Sequence, residues 1–427
     1  MLRQHMFSRF IYSIKNNPFD FIYFLFYAGI LATLAMVLVN PDEALKVFIF
    51  STALSLPLIG KNIKHVCSNK QNLVLPVMLL LFGLLQIIWV ELFKQPGSAF
   101  TGAYRSYQNG GKVMIFAALV MTALASREPC ANKTRITSIW TILTAIGLYL
   151  FAGYEVAGAP DIMTYRVALG FEHQTGTAYA LTLIALLASQ AIINLRLKHT
   201  VALYLLHFLI SLAVIITTQT RAAILVYPIL SIGLFLMYYR HNRTMLLRAL
   251  LGFVILVGVA AIPLKPIIES RYQNFLVDLH SYNQNNSNTS IGARLAMQRA
   301  GIEAGKMHHW GQSLEQRGAE IQRLAVQDTS LQGALEFINV HLHNEIVDTF
   351  SLKGIPGVVV LLLLYTAMFL IAYWQRSPLL FVVSGAIAVY GLSDLLLYAK
   401  GEALSSVLAL CVAAVLSSNP TRERCHG

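Results

Sequence analysis

Charge is what this sequence has least of. Only 12% of its 427 residues are Asp, Glu, Lys or Arg, about half of the roughly 25% that soluble domains carry. A mean hydropathy of +0.61 accompanies that shortage. Together they exclude an ordinary soluble enzyme. Carboxylates are the scarcer sign, 20 Asp and Glu against 32 Lys and Arg. No Asp-x-Asp or Glu-x-Asp pair occurs in the loops read below as external, so the sequence offers no evident divalent-cation site, and no metal or other cofactor is expected. Cysteine is scarce too. Cys67, Cys130, Cys411 and Cys425 are the whole set, and no pair has zinc-finger spacing. Residues 1–20 are basic and mixed, and no small-residue cleavage site follows the first apolar block, which is therefore expected to stay as an anchor.

What is abundant is apolar: 56% of the chain, arranged in blocks. A membrane span needs about 20 such residues. About twelve blocks qualify, near 21–39, 44–60, 73–93, 112–126, 137–154, 177–194, 201–218, 222–239, 247–264, 355–373, 379–397 and 403–418. The fold class expected is an all-α polytopic membrane protein. It divides into a first set of nine spans over 1–264, a long polar segment over 265–354, and three further spans with a tail over 355–427. The net charge of +12 does not indicate nucleic acid, because it is scattered and forms no groove-like cluster. It follows the positive-inside rule instead. With the N-terminus inside, inner loops carry Lys61, Lys64 and Lys70, Arg127, Lys133 and Arg135, Arg196 and Lys198, Arg240, Arg243 and Arg248, and Arg376. Both termini are then cytoplasmic and segment 265–354 is external.

That segment has its own organisation. Residues 281–290 are low in complexity. Ser290 then reads as an N-cap for a helix over 291–304, with Leu295, Met297 and Ile302 turned inward and Gly305 ending it. A second helix is expected over 314–326. A third is expected to begin near Asn339 and to carry His343, Glu345 and Asp348; on it His341 and His343 would point to different faces.

A few residues, in that segment and in the other external stretches, suit chemistry on an anionic, lipid-delivered substrate. Arg221 stands at a membrane edge, where an ionisable residue is a functional candidate and a guanidinium can grip phosphate with two parallel hydrogen bonds; a snorkelling anchor is the plain alternative. Arg294 opens a helix, whose N-terminal N–H groups add to its pull on an anion, though it also fits as a solvated charge. His343 is suited to take a proton from a hydroxyl near neutral pH; His308 and His309 are rivals for that role. Arg105, Lys112, Arg166 and His173 are additional contacts for a negatively charged ligand. Tyr104 and Tyr107 suit stacking on sugar rings, or simply the bilayer interface.

The spacing of these residues resembles the O-antigen ligase and polymerase superfamily of bacterial envelopes. Arg221-x3-Leu225 matches its Arg-x3-Leu. Arg294 to Gly305 matches Arg-x10-Gly. His343 to Gly354 matches His-x10-Gly, within His-Asn-Glu and Lys-Gly-Ile-Pro-Gly. The resemblance spans nearly the whole chain. It implies a metal-independent, inverting glycosyltransferase of the GT-C type in the inner membrane of a Gram-negative cell, active on the periplasmic side. It implies glycan on undecaprenyl pyrophosphate as donor and a sugar hydroxyl of lipid A–core as acceptor. By position, Arg221 and Arg294 would hold the pyrophosphate and His343 would activate the acceptor. The superfamily also contains O-antigen polymerases and protein-directed oligosaccharyltransferases. A transporter of polyprenyl-linked glycans is the alternative outside catalysis, and it would want more intramembrane charge than Glu91 and Asp394.

Overall fold

The computed structural model describes residues 18–68, 70–126, 131–161, 164–284 and 286–417. Among these residues every regular element is helical. In chain order they are α1 (Pro18–Met36), α2 (Pro41–Lys61), a short α3 (Ile63–Ser68), α4 (Gln71–Phe93), α5 (Thr101–Ala125), α6 (Ala131–Ala157), α7 (Gln174–Asn194), α8 (Thr200–Thr217), α9 (Arg221–Tyr239), α10 (Arg243–Asn283), α11 (Ser290–Met307), α12 (Leu314–Gln327), a 3₁₀ helix (Thr329–Phe337), α13 (Glu345–Trp374), α14 (Pro378–Gly391) and α15 (Lys400–Leu416).

Nine of the described helices are long and apolar enough to cross a membrane: α1, α2, α4 to α9, and α13. The other three expected spans differ from that pattern. The block at 247–264 lies inside α10, a helix of 41 residues that continues through Lys265 to Asn283. α14 has only 14 residues and stops at Gly391 rather than near 397. α15 has 17. Lipid as the solvent explains how the helices face. In α6, Thr134, Thr137, Ser138, Thr141 and Thr144 are buried, while Leu143 and Leu150 are 56% and 71% exposed. Polar-in, apolar-out is the arrangement a hydrocarbon surround favours. α7 sits at the centre, with Gly176 through Ile193 all buried. Its run of Ala, Thr, Ser and Gly lets α6, α8 and α15 approach closely.

The polar segment folds into a helical cap of α11, α12 and the 3₁₀ helix. Its core is Ala293, Ala296, Met297, Ala300, Ile321, Ala325, Leu331, Ala334 and Leu342. The expected inner face of α11 is corrected in two of three positions: Met297 is buried, but Leu295 and Ile302 are 37% and 39% exposed. Alanines make that face instead, because α13 packs too close for leucine; a Cβ on Gly305 would meet the Phe350 ring at 2.5 Å. The cap residue is Thr289, not Ser290. Its hydroxyl accepts from Gly292 N, and the helix runs on to Met307. α12 opens with a reciprocal capping box between Ser313 and Gln316.

A buried ion pair seats the cap on the bundle. Arg317 Nη1 of α12 donates to Asp348 Oδ1 of α13 at 2.8 Å, with both side chains fully buried. Asp348 also accepts from Tyr107 Oη and from Leu342 N. Beside them Trp89 Nε1 of α4 donates to Gln312 O at 3.0 Å, and Tyr104 Oη donates to Glu315.

Candidate functional site

The stretch His-Asn-Glu shapes the site one residue at a time. Asn344 caps α13, its Oδ1 accepting from Ile346 N and Val347 N. Its Nδ2 donates to Leu392 O at 3.1 Å. Glu345 accepts from Leu397 N and from Tyr365 Oη. Both side chains therefore pin the 392–399 connection, between α14 and α15, against the start of α13. Asp394 lies in that connection. The helix expected to begin near Asn339 begins only at Glu345, because the Asn344 side chain satisfies the first amides. His341 and His343 thus precede it in irregular backbone, and His343 has φ 49°.

That geometry overturns the expectation that His341 faces away. Both rings reach the same carboxylate. His341 Nε2 lies 2.8 Å from Asp394 Oδ1, and His343 Nδ1 lies 3.2 Å from it. Leu395 N donates to the same oxygen at 2.9 Å. Burial works against the Asp394 charge, but the two imidazole hydrogen bonds outweigh it and hold the carboxyl well below the ordinary range. Burial also opposes a charged His341; Asp394 prevails and raises its pKa. For His343 the balance goes the other way. Burial, with repulsion from His341 and Arg294, outweighs Asp394 and lowers its pKa. At neutral pH the group therefore reads as a carboxylate and a neutral His343 imidazole, with His341 the more readily protonated of the two rings. An ionised carboxylate only accepts, so Nδ1 of His343 carries the proton. Nε2 keeps the lone pair.

His343 lines a cavity of about 410 Å³ whose wall also includes Thr289, Ser290, Arg294, Glu336 and Phe337. This is the N-terminal turn of α11, where backbone amides favour an anion. The structure thus brings His343 and Arg294 into one space. Arg221 is not on that wall. It opens α9, whose N-cap Thr220 makes no side-chain capping bond, and it lies 3.6 Å from Asp278 of α10. Arg166 sits beside the same turn, its Nε donating to Thr218 O at 3.0 Å. Leu225, the partner in Arg-x3-Leu, is 69% exposed on the outside of the bundle.

Other expected contacts are placed elsewhere. Tyr104 and Tyr107 are 0% and 1% exposed, packed on Trp89 and bonded to Glu315 and Asp348, so neither ring has a face for a sugar. They support the cap. Arg105 and Lys112 lie exposed on α5 and His173 at the start of α7, and none of them lines the cavity. His308 and His309 do not line it either. Their carbonyls accept from Gly311 N and Ile355 N. The second of these bonds explains Gly354. It breaks α13 at φ 63°, and a Cβ there would lie 2.0 Å from His309 O. Sequence reasoning missed Asp394 as a partner of His343. The available signal was a lone carboxylate in an apolar stretch.

His341 Nε2, His343 Nδ1 and Asp394 Oδ1 lie within 4.8 Å of one another, a set with the right atoms for a cation. Both nitrogens converge on one carboxylate oxygen, the arrangement of shared protons. The chain matches a family model described as O-antigen ligase over residues 206–362, a span holding Arg221, Arg294, His343 and Gly354. It is also 32% identical to the O-antigen ligase of Escherichia coli (strain K12) over 396 residues, 91% of this chain and 92% of that protein. A likeness sustained over nearly the full length of both, with the motif residues inside the matched region, means that this polytopic helical membrane protein belongs to the O-antigen ligase family.

Proposed function

We propose that the protein transfers O-antigen polysaccharide from undecaprenyl pyrophosphate to a sugar hydroxyl of lipid A–core, without a metal and with inversion, in the GT-C manner, at the periplasmic face of a Gram-negative inner membrane. The observation that carries this reading is the neutral His343, held at Nδ1 by Asp394 and sharing a cavity with Arg294 at a helix N-terminus.

In this reading His343 Nε2 takes the proton of the acceptor hydroxyl. The oxygen attacks the anomeric carbon from the face opposite the leaving group. The bond from that carbon to the pyrophosphate oxygen breaks, and the electron pair leaves on undecaprenyl pyrophosphate. Arg294 and the α11 amides offset the charge that grows there. Arg221 does so from the α9 turn if the pyrophosphate bridges both helix ends. Asp394, with His341 bonded to the same oxygen, keeps the His343 ring in the required tautomer.

The test is reconstitution from purified protein, defined polyprenyl-pyrophosphate donor and lipid A–core, with the anomeric configuration of the product read by NMR. His343→Ala should slow transfer by about 10²–10⁴-fold while the protein still accumulates. Excess EDTA should leave the rate unchanged. Activity lost to EDTA and restored by a divalent cation would assign the His–His–Asp set to a metal instead. Growth of the donor glycan without any transfer to core would assign the polymerase reaction.

A further inference from the structure

A second cavity, larger than the one at His343, lies elsewhere among the described residues. It is a crevice of about 2120 Å³ at the opposite end of the bundle. That is well above the roughly 300–1,000 Å³ of a small-molecule pocket. Its wall is made where α7, α9, α13 and α15 end and where α14 begins. It is lined by Arg135, Arg196, Arg240 and Arg376, and among the described residues it contains no Asp or Glu. Apolar side chains such as Met121, Ile371 and Phe381 also line it.

Arginine at the helix ends has a bland role, since it offsets the negative dipole of a C-terminus. That role accounts for charge but not for two further features. Arg196 and Arg376 both adopt left-handed backbone, each at φ 49°, just past the ends of α7 and α13. Glycine is the unstrained choice at that position, so both guanidinium groups are kept against local preference. The second feature is Gln190 on the same wall. Its residue is 5% exposed and its Oε1 is buried with no hydrogen-bond partner. The orientation of that amide is fixed by a relay: Gln190 Nε2 donates to Asn194 Oδ1 at 2.9 Å, and Asn194 Nδ2 donates to Leu416 O at 2.8 Å. The orphan atom is therefore an acceptor. Leaving it unpaired is unfavourable. The crevice thus combines cations for a phosphate, an unpaired acceptor on a residue of its wall, and apolar lining.

We propose that this crevice binds an anionic phospholipid of the adjoining leaflet, with its phosphodiester among the arginines, a headgroup hydroxyl donated to Gln190, and an acyl chain along the apolar wall. A phosphatidylglycerol headgroup has both the charge and the hydroxyl. The inference is independent of the glycosyl-transfer reading, because it concerns the other end of the molecule and its test reads lipid binding alone.

The test is native mass spectrometry of the full chain, released from micelles doped with phosphatidylglycerol, phosphatidate, phosphatidylcholine or inorganic phosphate. Phosphatidylglycerol should be retained at least about tenfold over phosphatidylcholine, given several basic contacts each worth about fivefold. Arg196→Ala with Arg376→Ala should reduce that retention by roughly 25-fold. Gln190→Leu keeps every charge, so it should keep phosphatidate binding but lose the preference for phosphatidylglycerol over phosphatidate. If the arginine variant fails to accumulate, the Gln190→Leu comparison decides. Equal retention of phosphatidylcholine, an unchanged lipid preference in Gln190→Leu, or full displacement by inorganic phosphate would each overturn the proposal.

Discussion

His343 holds a backbone conformation that L-residues avoid, at φ 49°. Such strain costs of order 1–3 kcal/mol and persists where the surroundings impose it. Here Asn344 imposes it from one side, by starting α13, and Asp394 from the other, by fixing the ring. If His343 is the base proposed above, Asp394 is a positioning residue, and its loss should be felt in turnover rather than binding. Asp394→Asn is expected to lower kcat by about 10²–10⁴-fold with KM for donor changed little, measured in the reconstituted reaction. The wild-type pH profile carries a related expectation. A base with a lowered pKa stays neutral until pH falls below the ordinary imidazole value of about 6.5. The acid limb of kcat/KM should therefore have its midpoint below pH 6.5, and a midpoint above it would contradict the lowered pKa of His343. Arg221 separates charge from geometry. Lysine preserves the ion pair with Asp278 but not the guanidinium fork. Losing one charge-assisted hydrogen bond, worth roughly 1.5–3 kcal/mol, should slow Arg221→Lys by about 10- to 150-fold with normal membrane insertion. A rate within about twofold of wild type would leave Arg221 as an anchor.

At the scale of elements, α13 joins the cap to the bundle. It is two helical segments joined at Gly354, whose Cα stands against His309 O. Gly354→Ala would drive a methyl group to 2.0 Å from that oxygen in a backbone region costly for alanine. Its thermal midpoint and its accumulation in membranes should both fall clearly, with more loss than from Gly147→Ala, where a Cβ meets nothing within 4 Å. Equal midpoints for the two variants would refute the assigned role. The same element marks what was legible in the sequence. The His-Asn-Glu and Lys-Gly-Ile-Pro-Gly pieces stood out as motifs, and α12 was placed within a residue or two. The start of α13 was not, although Asn344 before Glu345 is an N-cap followed by an acid; the histidines drew the helix too far back. The buried face of α11 was hidden because it consists of alanines. Leu295 and Ile302 looked like core by hydrophobicity and are partly exposed by geometry.

For the whole molecule, the grouping of four arginines on one side is readable from charge alone. Arg135, Arg196, Arg240 and Arg376, predicted for one side, line one crevice. The Asp394–His343 partnership was not readable, since 51 positions separate them and no local pattern encodes a long-range pair. Absolute sidedness is open to a labelling measurement. Cys67 is exposed at the crevice end, whose wall includes the nearby His65, and Asn286 is exposed at the cap. An impermeant thiol reagent outside spheroplasts should modify Asn286→Cys and spare Cys67; the reverse would invert the topology. Cys130 and Cys425, expected on the Cys67 side, lie outside the described residues. Finally, the fully buried Arg317–Asp348 pair bears on how such proteins can be recombined. Removing one partner of a buried pair costs about 3–5 kcal/mol, a large part of a typical domain's 5–15 kcal/mol. The arginine belongs to the cap and the aspartate to the helix beneath it. A chimaera that exchanges caps between relatives must therefore carry residues on both sides of that boundary, Trp89, Tyr104, Tyr107 and Asp348 included. The cap is not a portable module.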